Sequence, residues 1–349
     1  MLVKRRNDCM AVDLSVLSRH PELAPRARLV AWASLSFLAV VGLACTSSAG
    51  HEPARAVSEE PQHASAGAHF DQTISPGEPT AGESSTASVH SAGTPALLVE
   101  LFTSQGCSSC PPADELLRKL GSGQVMAAHG DREHDAPAVT IIPLAFHVDY
   151  WNYLGWSDPF SSARWTSRQH RYAQKVAGGR VYTPQLVIHG RTHAVGSQRD
   201  EIVAILDRLA RHEAPTDIAI ETRQNDRSLT VSASARRSTG TSKLDAWVAV
   251  FENNVATRVP RGENAGRELH NDYIVRALEP VFSIPAARSE PGNVPVGGNS
   301  GGGSVTITLA PAWHAENLGV AVFLQDPETL AIHGARSLSP AELHGSTQP

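Results

Sequence analysis

The chain has 349 residues, and 41% of them are hydrophobic, so it is long enough to form two ordinary domains with real cores. The formal net charge of −5 provides no basic surface, so we expect no binding to nucleic acid. The sequence also lacks the HExxH and phosphate-loop motifs of zinc proteases and nucleotide-binding proteins.

Residues 1–45 have the features of an export signal. Several basic residues precede an uncharged run at 29–44 that is too short for a typical membrane span. The run ends at Cys45, which a lipoprotein-type cleavage would leave as an acylated N-terminus. The alternative is a small-residue cleavage site that happens to contain a cysteine. We therefore predict export to the periplasm or cell envelope, with membrane contact only through a lipid anchor if Cys45 is acylated.

Residues 46–95 are predicted to be a disordered linker. The segment is rich in Ser, Ala, Gly, Pro, Glu and His and has few large apolar residues. So little apolar surface cannot offset the entropy lost on ordering the chain.

Residues 96–214 are predicted to form an α/β domain. Apolar runs indicate buried strands, and the Pro pair at 111–112 and amphipathic spacing indicate helices. In chain order the strands are 96–103, 138–147, 185–189 and 192–195, and the helices are 111–120, 159–176 and 197–212.

Residues 215–340 contain only short β-like runs between turn-rich spacers, which predicts an all-β, sandwich-like domain. A polar block at 261–272 within this segment is interpreted as a loop held by salt bridges, although a binding role is an alternative.

Cys107 and Cys110 form a CxxC pair between a predicted strand and a predicted helix. Unpaired N–H groups and the positive dipole end at a helix N-terminus stabilise a thiolate, which is the nucleophile in disulfide exchange. Cys107 is expected to be the exposed, attacking thiolate and Cys110 the resolving thiol. Disulfides persist outside the cytoplasm, so the pair is able to cycle or to stay oxidised.

The order strand, CxxC, helix, strand, helix, Thr-Pro, hairpin and helix resembles the thioredoxin superfamily. The resemblance implies a cis peptide at Thr183-Pro184 beside the two sulfurs, and a helical insertion between the CxxC pair and this turn. Gly106 departs from the pattern, because thioredoxins usually carry Trp there. More narrowly, the sequence resembles an uncharacterised bacterial exported family, domain of unknown function 1223. The motifs that carry this resemblance are VELFTSQGCSSCPPAD, FHVDYWNYLGWSDPF, RQHRYA, VYTPQLVIHG and RGENAGRELHND.

Other side chains are candidates for the same site. Tyr150, Trp151 and Trp156 either form an aromatic wall that receives a substrate peptide or fill a core. Glu100 either accepts the proton of the resolving thiol, as a buried acid is thought to do in thioredoxins, or faces solvent. Asp114 is interpreted only as a favourable charge at the start of a helix.

The leading functional hypothesis is a thiol–disulfide oxidoreductase in which Cys107, Cys110, Thr183 and Pro184 act on protein thiols or disulfides of the cell envelope, without a cofactor. One alternative is a copper or other soft-metal handling protein that uses the two cysteines with His147. The other is a non-catalytic binding module in which the pair is a structural disulfide.

Overall fold

The computed structural model describes residues 85–91, 95–124, 139–213, 216–237, 240–287 and 299–345. The expected export signal at 1–45 lies outside these residues, as does most of the expected linker. Within the described part of the chain, no helix is both long enough and apolar enough to span a membrane.

The described residues form strands β1 to β14, helices α1 to α4 and two short 3-10 turns. The strands are β1 Ser85–Ser91, β2 Ala96–Thr103, β3 Thr140–His147, β4 Gln185–Ile188, β5 Thr192–Val195, β6 Asp217–Gln224, β7 Ser228–Arg236, β8 Leu244–Glu252, β9 Val255–Arg258, β10 Glu268–Asn271, β11 Ile274–Ile284, β12 Ser300–Thr308, β13 Leu318–Gln325 and β14 Ile332–Leu338. The helices are α1 Pro111–Gly121, α2 Ala163–Val176, α3 Arg199–Ala210 and α4 Pro340–Leu343, and the 3-10 turns are Asn152–Leu154 and Ala315–Asn317.

The largest sheet has eight strands in the order β14-β13-β8-β11-β3-β2-β4-β5. Strands β2 and β3 are parallel, β4 is antiparallel to β2, and β5 is antiparallel to β4. Strand β11 joins β3 through the parallel pair Ile274 and Ala145. The fold is therefore mixed α/β with a large sheet and few helices, which confirms the α/β class. Strands from both sides of the boundary expected at residue 215 share this sheet.

Strand β2 is covered on both faces, which explains its almost continuous apolar sequence. Leu97, Val99 and Leu101 belong to the core formed with α1 and α3. Leu98 and Phe102 point to the opposite face and pack in the core that contains α2. This burial fixes the end of β2, and the CxxC segment follows directly from it.

A second sheet has four strands in the order β1-β6-β7-β12. Alternating residues of β6 and β7, such as Ile220 and Val231, pack in one core with Val248 of β8 and Val320 of β13. The sandwich-like description of this part of the chain remains a prediction.

Strand β1 lies within the segment expected to be a disordered linker. It pairs with β6 in an antiparallel register from Ser85–Gln224 to Ser91–Ile218. An edge strand is held by backbone hydrogen bonds to its neighbour, so the low apolar content of the segment did not reveal it.

Candidate functional site

Cys107 and Cys110 lie in disulfide geometry with their Cα atoms 5.5 Å apart. Cys110 is the N-cap residue of α1, and Pro111 follows as the first helical residue, where a missing N–H has no cost. Both cysteines are 0% exposed, whereas Ser108 and Ser109 between them are exposed. The expectation that Cys107 is exposed is therefore wrong. The pair thus stands at a helix N-terminus, which favours a thiolate, but other parts of the chain shield it from solvent.

Thr183 lies directly beside Cys107. Its Oγ1 donates a hydrogen bond to Cys107 Sγ at 3.3 Å, and Trp151 Nε1 donates to the same Oγ1 at 2.7 Å. The peptide between Thr183 and Pro184 is cis, as the sequence resemblance implied, and Pro184 is buried. The structure therefore brings Cys107, Thr183 and Pro184 together across 76 residues of sequence.

The three aromatic candidates make different polar contacts around the cysteines. Trp151 binds Thr183 as described, and Trp156 Nε1 donates to Gln105 Oε1 at 3.2 Å. Tyr150 OH donates to Gln169 Oε1 at 3.2 Å. Each is half-buried, so each retains some surface that a partner can contact.

The glycine at position 106 has a local explanation. A Cβ atom at Gly106 would stand 3.1 Å from Trp151 Cβ and 3.4 Å from Trp151 O. Contacts this short require Trp151 to move. The glycine therefore allows Trp151 to approach the backbone just before Cys107 and to reach Thr183.

The loop between β9 and β10, residues 259–267, covers the CxxC segment. Asn264 Nδ2 donates to the carbonyl oxygens of Gln105 at 2.9 Å and Cys107 at 3.0 Å, and Asn264 is 1% exposed. The amide of Ser108 donates to Glu263 Oε2 at 3.0 Å, and hydrogen bonding from the Ser108 side chain, together with this amide, lowers the pKa of Glu263. The polar block that we interpreted as a salt-bridged loop is thus in contact with the cysteine segment.

His147 and Asp158 form a buried pair beside this segment. His147 Nδ1 is 2.7 Å from Asp158 Oδ2, and both side chains have no exposed surface. The amide of Gln105 donates to the same carboxyl group at 2.8 Å. Burial lowers the pKa of His147, but the charge of Asp158 raises it by more, so the pKa of His147 is raised overall. Burial raises the pKa of Asp158, but His147 lowers it by more, so the pKa of Asp158 is lowered overall.

Asp114 is a member of the site that sequence reasoning missed. Burial raises its pKa to about 7, against the opposing effects of His147 and the hydroxyl of Thr103. The residue is partly exposed overall, but its Oδ1 atom is buried and has no hydrogen-bond partner. The only sequence signal was its position four residues after Cys110, on the same side of α1.

Glu100 is placed elsewhere. It follows the alternation of β2 onto the α2 face, opposite Val99 and Leu101, and it does not face solvent. Arg168 donates to Glu100 Oε1 from Nε at 3.0 Å and from Nη2 at 2.6 Å. In the part of the chain that the structure describes, no hydrogen bond links Glu100 to either cysteine.

The described residues contain no group of three or more His, Cys, Asp or Glu side chains arranged to hold a metal ion. His147, the third ligand in the metal alternative, bonds to Asp158 through Nδ1, and its Nε2 has no hydrogen-bond partner.

The sequence matches a family described as protein of unknown function (DUF1223) over residues 98–325. In the crystal structure of protein AGR_C_4864 from Agrobacterium tumefaciens, the chain is 28% identical to this one, with a TM-score of 0.50. That similarity covers 74% of this chain and 99% of the other. Among proteins with curated descriptions, none matches. The family match spans the cysteine pair, the cis peptide and the β9–β10 loop.

Proposed function

This chain belongs to the DUF1223 family, and we propose that it is an exported, thioredoxin-like thiol–disulfide oxidoreductase that uses Cys107 and Cys110. The observation that carries the proposal is the contact of Thr183 Oγ1 with Cys107 Sγ at the N-terminus of α1. A structural disulfide alone needs neither a helix N-terminus nor a polar side chain directed at one of its sulfurs.

The arrangement of the elements supports the thioredoxin-like part of the proposal. Strand β2 leads into the cysteine pair and α1, parallel β3 lies on one side of β2, and the β4–β5 hairpin lies on the other. Helix α2 lies between β3 and the Thr-Pro turn, where the helical insertion was expected, and α3 follows the hairpin.

In the proposed reaction, the Cys107 thiolate attacks a disulfide of a partner protein. A bond forms between Cys107 Sγ and one partner sulfur, and the other partner sulfur leaves with the electron pair. Cys110 then attacks Cys107 Sγ, so the partner is reduced to two thiols and the Cys107–Cys110 pair is oxidised. Every step is reversible, so the same groups also serve oxidation or isomerisation of a partner.

Access to Cys107 requires a movement that the β9–β10 loop controls. Cys107 is fully buried, and Glu263 and Asn264 bind the backbone on either side of its sulfur. A protein partner therefore has to displace these contacts before its sulfur reaches Cys107. We infer that this loop, with Trp151 and Trp156, forms part of the partner-binding surface.

The export of the protein is proposed from the sequence of residues 1–45. Fractionation of cells that produce the full chain tests it. We expect the protein in the envelope fraction, and Cys45→Ala separates acylation from simple cleavage because only a lipid-anchored form leaves the membrane fraction after this change.

The exchange activity is tested with reduction of insulin and reactivation of scrambled ribonuclease. We expect the wild-type protein to accelerate at least one reaction and Cys107→Ser to abolish the acceleration. Glu115→Gln, on the exposed side of α1, is the folded control and keeps the wild-type rate. If wild type and Cys107→Ser give the same low rates in both assays, the proposed function is wrong.

A further inference from the structure

Three buried polar atoms near the cysteine pair have no hydrogen-bond partner. They are Thr103 Oγ1, Asp114 Oδ1 and His147 Nε2. Thr103 and His147 end the paired strands β2 and β3 opposite each other, and Asp114 on α1 interacts electrostatically with His147 and Thr103. The Thr103 hydroxyl acts on the Asp114 carboxyl group as a hydrogen-bonding neighbour that favours its charged form, although neither atom has a partner at normal hydrogen-bond geometry. A buried carboxyl group with such incompletely paired neighbours fits a group that gains and loses a proton.

Asp114 stands one helical turn after Cys110. Its amide donates to the Cys110 carbonyl oxygen at 3.1 Å, and side chains four residues apart share one helix face. Helical side chains lean toward the N-terminus, so the Asp114 carboxyl group leans toward Cys110. Cys110 is 0% exposed, and solvent is therefore a poor acceptor for the proton of its thiol.

We propose that Asp114 is the proton acceptor for Cys110 in the resolving step, and that the His147–Asp158 pair holds Asp114 ready for this role. The inference rests on the proposed function. As the Cys110 S–H proton moves to the Asp114 carboxylate, Cys110 Sγ bonds to Cys107 Sγ and the bond from Cys107 Sγ to the partner sulfur breaks. The partner leaves as a thiolate and takes its proton from solvent.

The electrostatic surroundings suit a group that gains and loses a proton near neutral pH. The pKa of Asp114 is raised to about 7 by burial, and His147 limits that rise. A lower pKa would make the carboxylate a weaker base, and a much higher one would leave it protonated at pH 7. The other charged or titratable groups around it are Asp158 beside His147, Arg276 of β11, the exposed Glu115, Arg118 and Lys119 of α1, and Asp272 and Tyr273 near the far end of α1.

Glu100 is the competing acceptor, and its contacts argue against it. The guanidinium group of Arg168 binds Glu100 Oε1 through two nitrogens, and Arg168 also contacts Tyr172. Glu100 Oε2 is also buried without a hydrogen-bond partner, but Oε1 holds the carboxylate in a buried ion pair with Arg168 on the face of β2 away from α1.

The test isolates the resolving step. Reduced protein is mixed with one equivalent of dithiodipyridine at about pH 4, where pyridyl disulfides react although thiolates are scarce, and the pH is then raised. Release of the second thiopyridone reports the attack of Cys110 on the mixed disulfide at Cys107. We expect the wild-type rate to rise with an inflection near pH 7.

Asp114→Asn is expected to slow the second release at least about tenfold at neutral pH and to remove the inflection, since general base catalysis typically contributes more than this. Glu115→Gln is the matched control and keeps the wild-type profile. His147→Gln is a second variant, and it moves the inflection to higher pH because the charge that lowers the pKa of Asp114 is lost. If Asp114→Asn does not fold, the shift of the inflection in His147→Gln tests the role of Asp114, and an unshifted inflection contradicts it.

Three results overturn the inference: a wild-type profile in Asp114→Asn, complete second release at about pH 4, or loss of the rate in Glu100→Gln instead of Asp114→Asn. Each of them leaves the proposed function intact, because exchange still occurs. Failure of the proposed function is distinct, since Cys107→Ser and wild type are then equally inactive toward insulin and ribonuclease.

Discussion

At the scale of single residues, Asp114 couples the stability of the fold to pH. Its pKa is about 7 in the folded chain and near the ordinary 3.8 when unfolded, so the folded state binds the proton more tightly. The stabilisation is complete below about pH 4 and is lost as the pH rises through 7.

Asp114→Asn removes this dependence, because an amide does not ionise. Each displaced pKa unit is worth about 1.4 kcal/mol, and partial exposure of the residue reduces the total, so we expect the variant to gain about 2 kcal/mol over wild type at pH 8 and almost nothing at pH 4. Urea unfolding at both values measures the difference. The control Glu115→Gln is expected to show no such gain in the free energy of unfolding between pH 5 and 8. If Asp114→Asn gains the same free energy of unfolding at pH 4 and pH 8, Asp114 is not a buried, titrating carboxyl group.

The residues that sequence reasoning found are those with a local signature. Cys107 and Cys110 are marked by their spacing, and the turn at Thr183-Pro184 is marked by the apolar strand that follows. The His147–Asp158 pair and Asp114 have no such signature. Their roles depend on the register of β2 and β3 and on the side of α1 that faces the sheet, which only the folded chain defines.

At the scale of elements, the β9–β10 loop is expected to limit access to the disulfide. Replacing Glu263 and Asn264 together by Ala removes three hydrogen bonds to the backbone of 105–108. We expect dithiothreitol to reduce the Cys107–Cys110 pair several-fold faster in this double variant, measured by thiol trapping at fixed times. His270→Ala, on an exposed side chain of β10, is the control.

An unchanged reduction rate in the double variant would show that another element limits access to Cys107. Trp151 is the next residue to substitute in that case, because it packs against Gly106 and donates a hydrogen bond to Thr183.

The strands within residues 96–214 were easier to predict than the contacts that this part of the chain makes with later residues. The apolar runs placed β2 and β4 within a residue of their observed ends, because burial on both faces leaves a continuous hydrophobic signal. The position of the β9–β10 loop was not predictable. The contact between Asn264 and Cys107 joins residues 157 positions apart, and the sequence of a polar loop does not indicate which distant segment it contacts.

At the scale of the whole molecule, the eight-stranded sheet links the two segments that sequence reasoning separated at residue 215. Strand β11 pairs with β3, and Phe251, Val275 and Phe323 belong to the same core as Phe102 and Phe146. Removal of the residues after 213 would expose the edge of β3 and one face of that core.

A fragment that ends at residue 213 is therefore expected not to fold on its own. Circular dichroism and thermal unfolding compare it with the chain from residue 85 to 345, which we expect to unfold in one cooperative transition. A cooperative transition in the short fragment would show that the first segment is an independent domain.

The proposed function depends on exchange of Cys107 and Cys110 with other thiols. Equilibration of the protein with a series of glutathione buffers, followed by thiol trapping, tests this claim most directly. We predict that the pair passes from oxidised to reduced across the series, with a midpoint above about −300 mV. A pair that stays oxidised in every buffer, with a midpoint below about −300 mV, would contradict it, because such a disulfide is a structural cross-link.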